Sequence, residues 1–182
     1  MSITGISDSQ LYQSQFASVP RSLTRQLAVL SDLSRNTDAA GGFDGLGEAF
    51  ASIARRVRYG DMVIAISDFS NLSPTTIRTF DYFCARRALS LIWVSDKVER
   101  TALPSGYYRI TDGTNYGALS IYSKRRSRNL QRVLDERNDR LREVVATHQA
   151  PLIELSPGDD VSKSLYAAFN RMSRARRRVT RY

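Results

Sequence analysis

The apolar run at residues 62–66, within the segment DMVIAISDFS, constrains the fold of this chain more than any other stretch. An uninterrupted run of this length is typical of a strand that is buried on both faces of a mainly parallel sheet. Ser67, Asp68 and Ser70 follow at once, so polar oxygens are expected at the carboxyl end of the strand, the edge where α/β sheets bind ligands. A tight turn or a helix cap would account for the same residues.

The rest of the chain alternates short apolar strands with amphipathic helices. Strands are predicted at residues 2–7, 11–17, 89–94 and 151–155, and helices at 21–34, 46–58, 124–148 and 161–174, with one more beginning at Ser73-Pro74. Two further strands flank Asp112-Gly113 and predict a β-hairpin. This alternation favours an α/β fold, a three-layer sandwich with a mainly parallel sheet, plus a β-hairpin insertion and a long helix.

Two helices have patterns that can be checked residue by residue. Leu23, Leu27 and Leu30 recur at helical spacing and are predicted to form the buried stripe of the first helix. The long helix at 124–148 has an apolar face of leucine and valine, and Arg137 is its one interruption. Cys84 follows Ile77 and Phe80 at helical spacing, so it is predicted to be a small buried apolar residue.

Composition places the chain among ordinary globular proteins, with 42% hydrophobic and 25% charged residues. No apolar stretch reaches the ~18 residues that a membrane span requires, and no signal peptide is visible. A single cysteine cannot form an intramolecular disulfide and fits a reducing compartment. We therefore expect a cytoplasmic protein without a membrane segment.

The net charge of +9 raises the alternative of a nucleic-acid-binding module. The charges are concentrated: six arginines lie in residues 171–181 and four basic residues lie in 124–128. No zinc-finger spacing, aromatic RNA-binding motif or glycine-rich phosphate loop accompanies them. We therefore predict a domain over residues 1–172 and a solvated basic tail over 173–182, with nucleic acid as an unfavoured partner.

Catalysis by a nucleophile has little support in this sequence. His148, the sole histidine, ends an amphipathic helix, where a cation interacts favourably with the helix dipole. One cysteine and one histidine are too few ligands for a zinc site. The oxygens at the strand ends would suit a hard cation, so a Mg²⁺-dependent hydrolase using Asp68, Asp96 and Glu99 is the second alternative.

Three segments carry a resemblance to a known family: GGFDGLGEAF at residues 41–50, ISDFS at 66–70 and VSDKVERTALP at 94–104. Together they resemble the von Willebrand factor A-type domain of the bacterial domain-of-unknown-function-58 family. In that family a Gly-Gly-Thr-Asp segment opens a helix, one strand ends in Ser-Asp-Phe, and a later strand ends in Ser-Asp-Pro-x-Glu-Arg. The resemblance extends over nearly the whole chain and implies the same mainly parallel sheet.

The resemblance also implies that this chain lacks most of the family's metal ligands and its first strand. Related domains hold a divalent cation through an Asp-x-Ser-x-Ser motif, a threonine and an aspartate. In this chain only Asp68 matches one of these ligand positions. Phe43 stands at the position of the threonine, and Asp44 could compensate in part. We therefore predict a degenerate metal site without cofactor. The family's first, central strand has no counterpart, so we expect residues 2–7 to move beside 62–66 or two chains to join strands as a homodimer.

The function implied by the resemblance is protein binding without catalysis. Members of the family resemble partners of MoxR-type AAA+ ATPases, in systems that assist the assembly or maturation of other proteins. The binding surface is expected at the carboxyl edge of the sheet, and its candidate residues are Phe43, Asp44, Asp68, Ser70, Asn71, Asp96 and Glu99. We also expect Asp96 or Glu99 to pair with an arginine and fix the segment that leads into the hairpin.

Overall fold

The structure is a computed structural model, and it describes residues 4–6, 11–13, 20–35, 45–70, 72–86, 89–96, 99, 101, 103–111 and 115–179. Within these residues the chain alternates strands and helices as predicted. The elements in chain order are β1 (Thr4–Ile6), β2 (Leu11–Gln13), α1 (Pro20–Arg35), α2 (Gly45–Ala54), β3 (Val63–Ser67), α3 (Pro74–Ala85), β4 (Leu89–Val94), β5 (Gly106–Thr111), β6 (Tyr116–Ile121), α4 (Lys124–Thr147), β7 (Leu152–Leu155) and α5 (Val161–Val179).

A parallel sheet of three strands, in the order β3-β4-β7, forms the centre of the fold. One face carries Leu91 and Trp93 into a core that α2, α3 and α4 complete with Phe50, Phe80 and Leu141. The other face of β4 and β7 is covered by α5. Helices therefore lie on both faces, and the prediction of an α/β fold with a parallel sheet is confirmed at this level.

The strand β3 departs from the prediction that both of its faces are buried. Val63 lies in the core, but Ile64 is 42% exposed and Ile66 is 67% exposed. The cause is position: β3 is the edge strand of the described sheet, and the helix α5 packs on β4 and β7 instead. The apolar run is therefore a strand with one buried and one open face.

The N-terminal strands form a separate two-stranded antiparallel sheet, in which Gly5 lies opposite Tyr12. In the described residues β1 pairs with β2 and not with β3, so the predicted shift of this segment beside β3 is wrong for residues 4–6. The joining of two chains stays a prediction. The predicted stripe of α1 is wrong at Leu27, which is 53% exposed, because α1 packs against β1 with Gln26 on the buried side.

The segment after β4 contains the predicted hairpin and long helix. Strands β5 and β6 pair in an antiparallel ribbon, and α4 begins three residues after Ile121, with the Ser123 hydroxyl accepting the Arg126 N–H at its N-cap. The last helix, α5, ends at Val179 rather than at the predicted residue 174. Among the described helices, none has both the length and the apolar character needed to cross a membrane.

Candidate functional site

The turn after β3 places Asp68 and Ser70 at the carboxyl edge of the sheet. Ser70 donates its backbone N–H to Asp68 Oδ1 over 3.1 Å, and Phe69 donates its own to Ser67 Oγ over 3.1 Å. Asp68 therefore accepts a backbone hydrogen bond at the start of this loop, as expected for an aspartate that fixes a turn.

The residue between them, Phe69, has an unusual backbone conformation. Its φ is +50°, in the left-handed region that non-glycine residues rarely adopt, and its side chain is 2% exposed. The left-handed conformation costs roughly 1–2 kcal/mol, which burial of the aromatic ring offsets. The buried ring thus holds the loop in the conformation that turns Asp68 toward α4.

Arg137 of α4 joins Asp68 to Glu99. Its Nη2 atom donates to the carbonyl oxygen of Asp68 over 3.4 Å and to Asp68 Oδ2 over 3.5 Å. The same Nη2 atom lies 3.9 Å from Glu99 Oε2. One guanidinium therefore lies between two carboxylates that come from different loops at the sheet edge.

Glu99 is held from a second direction by α4. The buried Asn138 donates Nδ2 to the Glu99 carbonyl oxygen over 3.4 Å, and Glu99 donates its N–H to the Asp96 carbonyl oxygen over 3.1 Å. Asp96 is exposed at the start of this turn. The expectation that Asp96 or Glu99 pairs with an arginine is confirmed for Glu99, which α4 contacts through both Arg137 and Asn138.

Of the seven predicted site residues, the structure brings three into one cluster, Asp68, Ser70 and Glu99, and it places Asp96 beside Glu99. Phe43, Asp44 and Asn71 lie outside the described residues. Arg137 and Asn138 were not predicted as site residues. The sequence did contain a signal for Arg137, because it is the one charged residue on the otherwise apolar face of α4.

The residues around Asp68 do not fit the divalent cation that the resemblance implies. A hard cation needs several preorganised oxygens, and here the guanidinium of Arg137 lies 3.5 Å from Asp68 Oδ2, where it would repel a metal ion. In the described part of the chain no group of three or more His, Cys, Asp or Glu side chains is arranged to hold a metal. The absence of a metal site stays a prediction.

The surroundings of His148 and Cys84, the two side chains considered as nucleophiles, are those of structural residues. His148 Nδ1 lies 2.9 Å from Asp81 Oδ1, which links the end of α4 to α3. Burial, reinforced by the negative charge of Asp81, raises the pKa of the Cys84 thiol. A raised pKa keeps the thiol protonated at neutral pH, and the thiolate is the reactive form.

Comparison of the chain with protein-family models, curated sequences and solved structures gave no match. The resemblance to the von Willebrand factor A-type domain therefore rests on the three sequence segments alone. The α/β architecture is compatible with it at the level of a parallel sheet between helices.

Proposed function

We propose that this chain is a non-catalytic protein-interaction domain that binds another protein through the carboxyl edge of its sheet. The partner class that the sequence resemblance supports is a MoxR-type AAA+ ATPase acting in the assembly or maturation of other proteins. The observation that carries the proposal is the cluster of Asp68, Glu99 and Arg137. Two carboxylates share one guanidinium, so these three side chains together carry one negative charge on a chain whose net charge is +9.

The Arg137 guanidinium lies beside Asp68, the one residue that matches a metal-ligand position in the sequence resemblance. A fixed internal cation keeps Asp68 and Glu99 in position without a metal, and their outer oxygens stay available to arginine or lysine groups of a partner. Asp96, which is exposed beside Glu99, adds a third carboxylate to this edge. Charge complementarity of this kind sets the rate and specificity of association more than the affinity itself.

The same contact weighs against the hydrolase alternative. A magnesium-dependent reaction would require Asp68 and Glu99 to coordinate a cation, and both already face Arg137. Neither His148 nor Cys84 contributes to this edge, because His148 pairs with Asp81 on α3 and Cys84 lies on the same helix.

The test is the affinity of the purified chain for a MoxR-type AAA+ ATPase from the same genome, measured by calorimetry. Asp68→Asn keeps the oxygen that accepts the Ser70 N–H, and Glu99→Gln keeps the shape of the side chain. Each change should weaken binding about tenfold, as expected when a charged group at an interface is neutralised. The matched control is Glu143→Gln, an exposed carboxylate of α4 outside the cluster, which should bind like the unmodified chain.

Two results would contradict the proposal. Equal affinities for the cluster variants and the Glu143 control would show that binding does not use the carboxyl edge. No binding by the unmodified chain would rule out the ATPase as the partner.

A further inference from the structure

The solvent-facing side of the β5–β6 ribbon combines aromatic and basic side chains. Tyr107, Arg109 and Thr111 alternate along β5, and Tyr116 lies opposite Thr111, so all four lie on one face. Tyr107 is 62% exposed and Tyr116 is 75% exposed. We call this face the Tyr-Arg ribbon.

The start of α4 continues the ribbon with free positive charge. Lys124, Arg125 and Arg128 are exposed and, like Arg109, make no ion pair with a carboxylate in the described part of the chain. Residues 101–134 contain six basic residues and one acidic residue. Cations in the first turn of a helix are repelled by the helix dipole, so this placement costs stability that a bound anion would restore.

The ribbon is a fixed platform rather than a loose arm. Ile121 is 1% exposed, and the Tyr108 hydroxyl donates to the Pro104 carbonyl oxygen over 2.7 Å. Ser127 Oγ donates to the Leu103 carbonyl oxygen over 3.2 Å, which ties the first turn of α4 to the start of the hairpin. The backbone that carries the rings and cations is therefore tied at the base of the ribbon, which lowers the entropy cost of binding.

We propose that the Tyr-Arg ribbon binds single-stranded nucleic acid, against the expectation from the sequence alone and in addition to the proposed protein binding at the carboxyl edge. Bases would stack on the rings of Tyr107 and Tyr116, which stand on backbone positions separated by roughly 13 Å, the length of four strand residues. Arg109 lies between these two positions on the same face and would bind phosphate, together with Lys124, Arg125 and Arg128.

Three other anionic surfaces fit this face less well. A duplex keeps its bases stacked on one another, so it offers the tyrosine rings no base to stack on. A membrane would require an apolar face for insertion, and the residues between the two tyrosines on this face include Arg109 and Thr111. An acidic protein would use the cations but has no need of two exposed rings.

The test uses the full chain and fluorescein-labelled oligo(U) RNA or oligo(dT) DNA of about 20 nucleotides, with affinity measured by fluorescence anisotropy. Tyr107→Ala and Tyr116→Ala should each weaken binding about 5- to 150-fold without changing the salt dependence. Arg125→Gln combined with Arg128→Gln should reduce the slope of log affinity against log salt by about 1.4, from two lost phosphate contacts. The strand bound more tightly identifies RNA or DNA as the ligand.

The chain offers matched controls at the opposite, amino edge of the sheet. Tyr59 is 96% exposed beside Arg55 and Arg56, two arginines that make no described ion pair. Tyr59→Ala and the double change Arg55→Gln with Arg56→Gln should leave both affinity and salt slope unchanged. Because all these side chains are exposed, the thermal midpoints of the variants should be no lower than that of the unmodified chain.

Four results would overturn the proposal. The Tyr107 and Tyr116 variants could bind as tightly as the unmodified chain, or the Arg55 and Arg56 variant could lose as much affinity as the Arg125 and Arg128 variant. A duplex of the same length could bind as tightly as the single strands. Vesicles containing phosphatidylserine could bind through the same residues while the oligonucleotides do not.

Discussion

Replacement of Arg137 by glutamine should destabilise the folded chain by about 1–2 kcal/mol. Exposed ion pairs contribute roughly 0–1 kcal/mol each, and the Arg137 side chain, which is 33% exposed, contacts two carboxylates at 3.5 Å and 3.9 Å. Glu99 Oε2 is shielded from solvent and accepts no hydrogen bond from the described residues. Loss of the nearby charge therefore leaves a buried oxygen uncompensated, a change that typically costs about 1–3 kcal/mol.

Urea unfolding measures this free energy, and the slope with urea should stay unchanged if the fold is kept. Arg132→Gln is the control on the same helix, because Arg132 pairs with Glu136 at 3.6 Å with both side chains largely exposed. Its expected loss is about 0.3–0.5 kcal/mol. A double-mutant cycle of Arg137→Gln with Glu99→Gln should give a coupling of about 1 kcal/mol. Equal losses for Arg132→Gln and Arg137→Gln, with no coupling to Glu99, would refute the reasoning.

Four further predictions follow from single features. Calorimetry should find no stoichiometric Mg²⁺ or Mn²⁺ site, because Asp68 lacks a preorganised set of further ligands among the described residues. A site with a dissociation constant below about 100 µM that is lost in Asp68→Ala would contradict this prediction. Asp81→Asn should lower the pKa of Cys84 by removing a nearby negative charge, so alkylation at mildly alkaline pH should become faster than in the unmodified chain. Phe69→Gly relieves the left-handed backbone but deletes a buried ring, and urea unfolding should show a net loss of about 2–4 kcal/mol; unchanged stability would contradict this. Sedimentation equilibrium should show two copies joined through the open edge of β3, with Ile66→Glu monomeric; a monomeric unmodified chain would contradict this.

The sequence predicted the elements well because their signals are local. Apolar runs and helical spacing located β4 and α4 close to their observed bounds, and Ser73-Pro74 marked the start of α3. The helix α2 ends at Ala54 and not at the predicted residue 58. The exposure of Ile64 and Ile66 could not be predicted in this way. An apolar run shows that a strand can be buried, but whether a helix covers each face depends on the packing of distant elements.

The candidate site was predicted in part for the same reason. Asp68 and Glu99 follow strands, so their location at the sheet edge follows from the parallel topology. Their meeting at Arg137 depends on how α4 lies across that edge, which no local pattern encodes. The length of α5 was underestimated because its arginines were interpreted as a solvated tail, although arginine is a good helix former. The left-handed conformation of Phe69 could not be predicted from the sequence, because aromatic residues rarely adopt it and are not typical turn residues.

The most direct test of protein binding at the carboxyl edge is hydrogen exchange of the unmodified chain with and without the MoxR-type AAA+ ATPase. Binding through the Asp68, Glu99 and Arg137 cluster predicts slower exchange at the amides of Ser70 and Glu99. It also predicts unchanged exchange at residues 55–61, on the opposite edge of the sheet. Protection confined to residues 55–61 or to the β5–β6 ribbon would contradict the account.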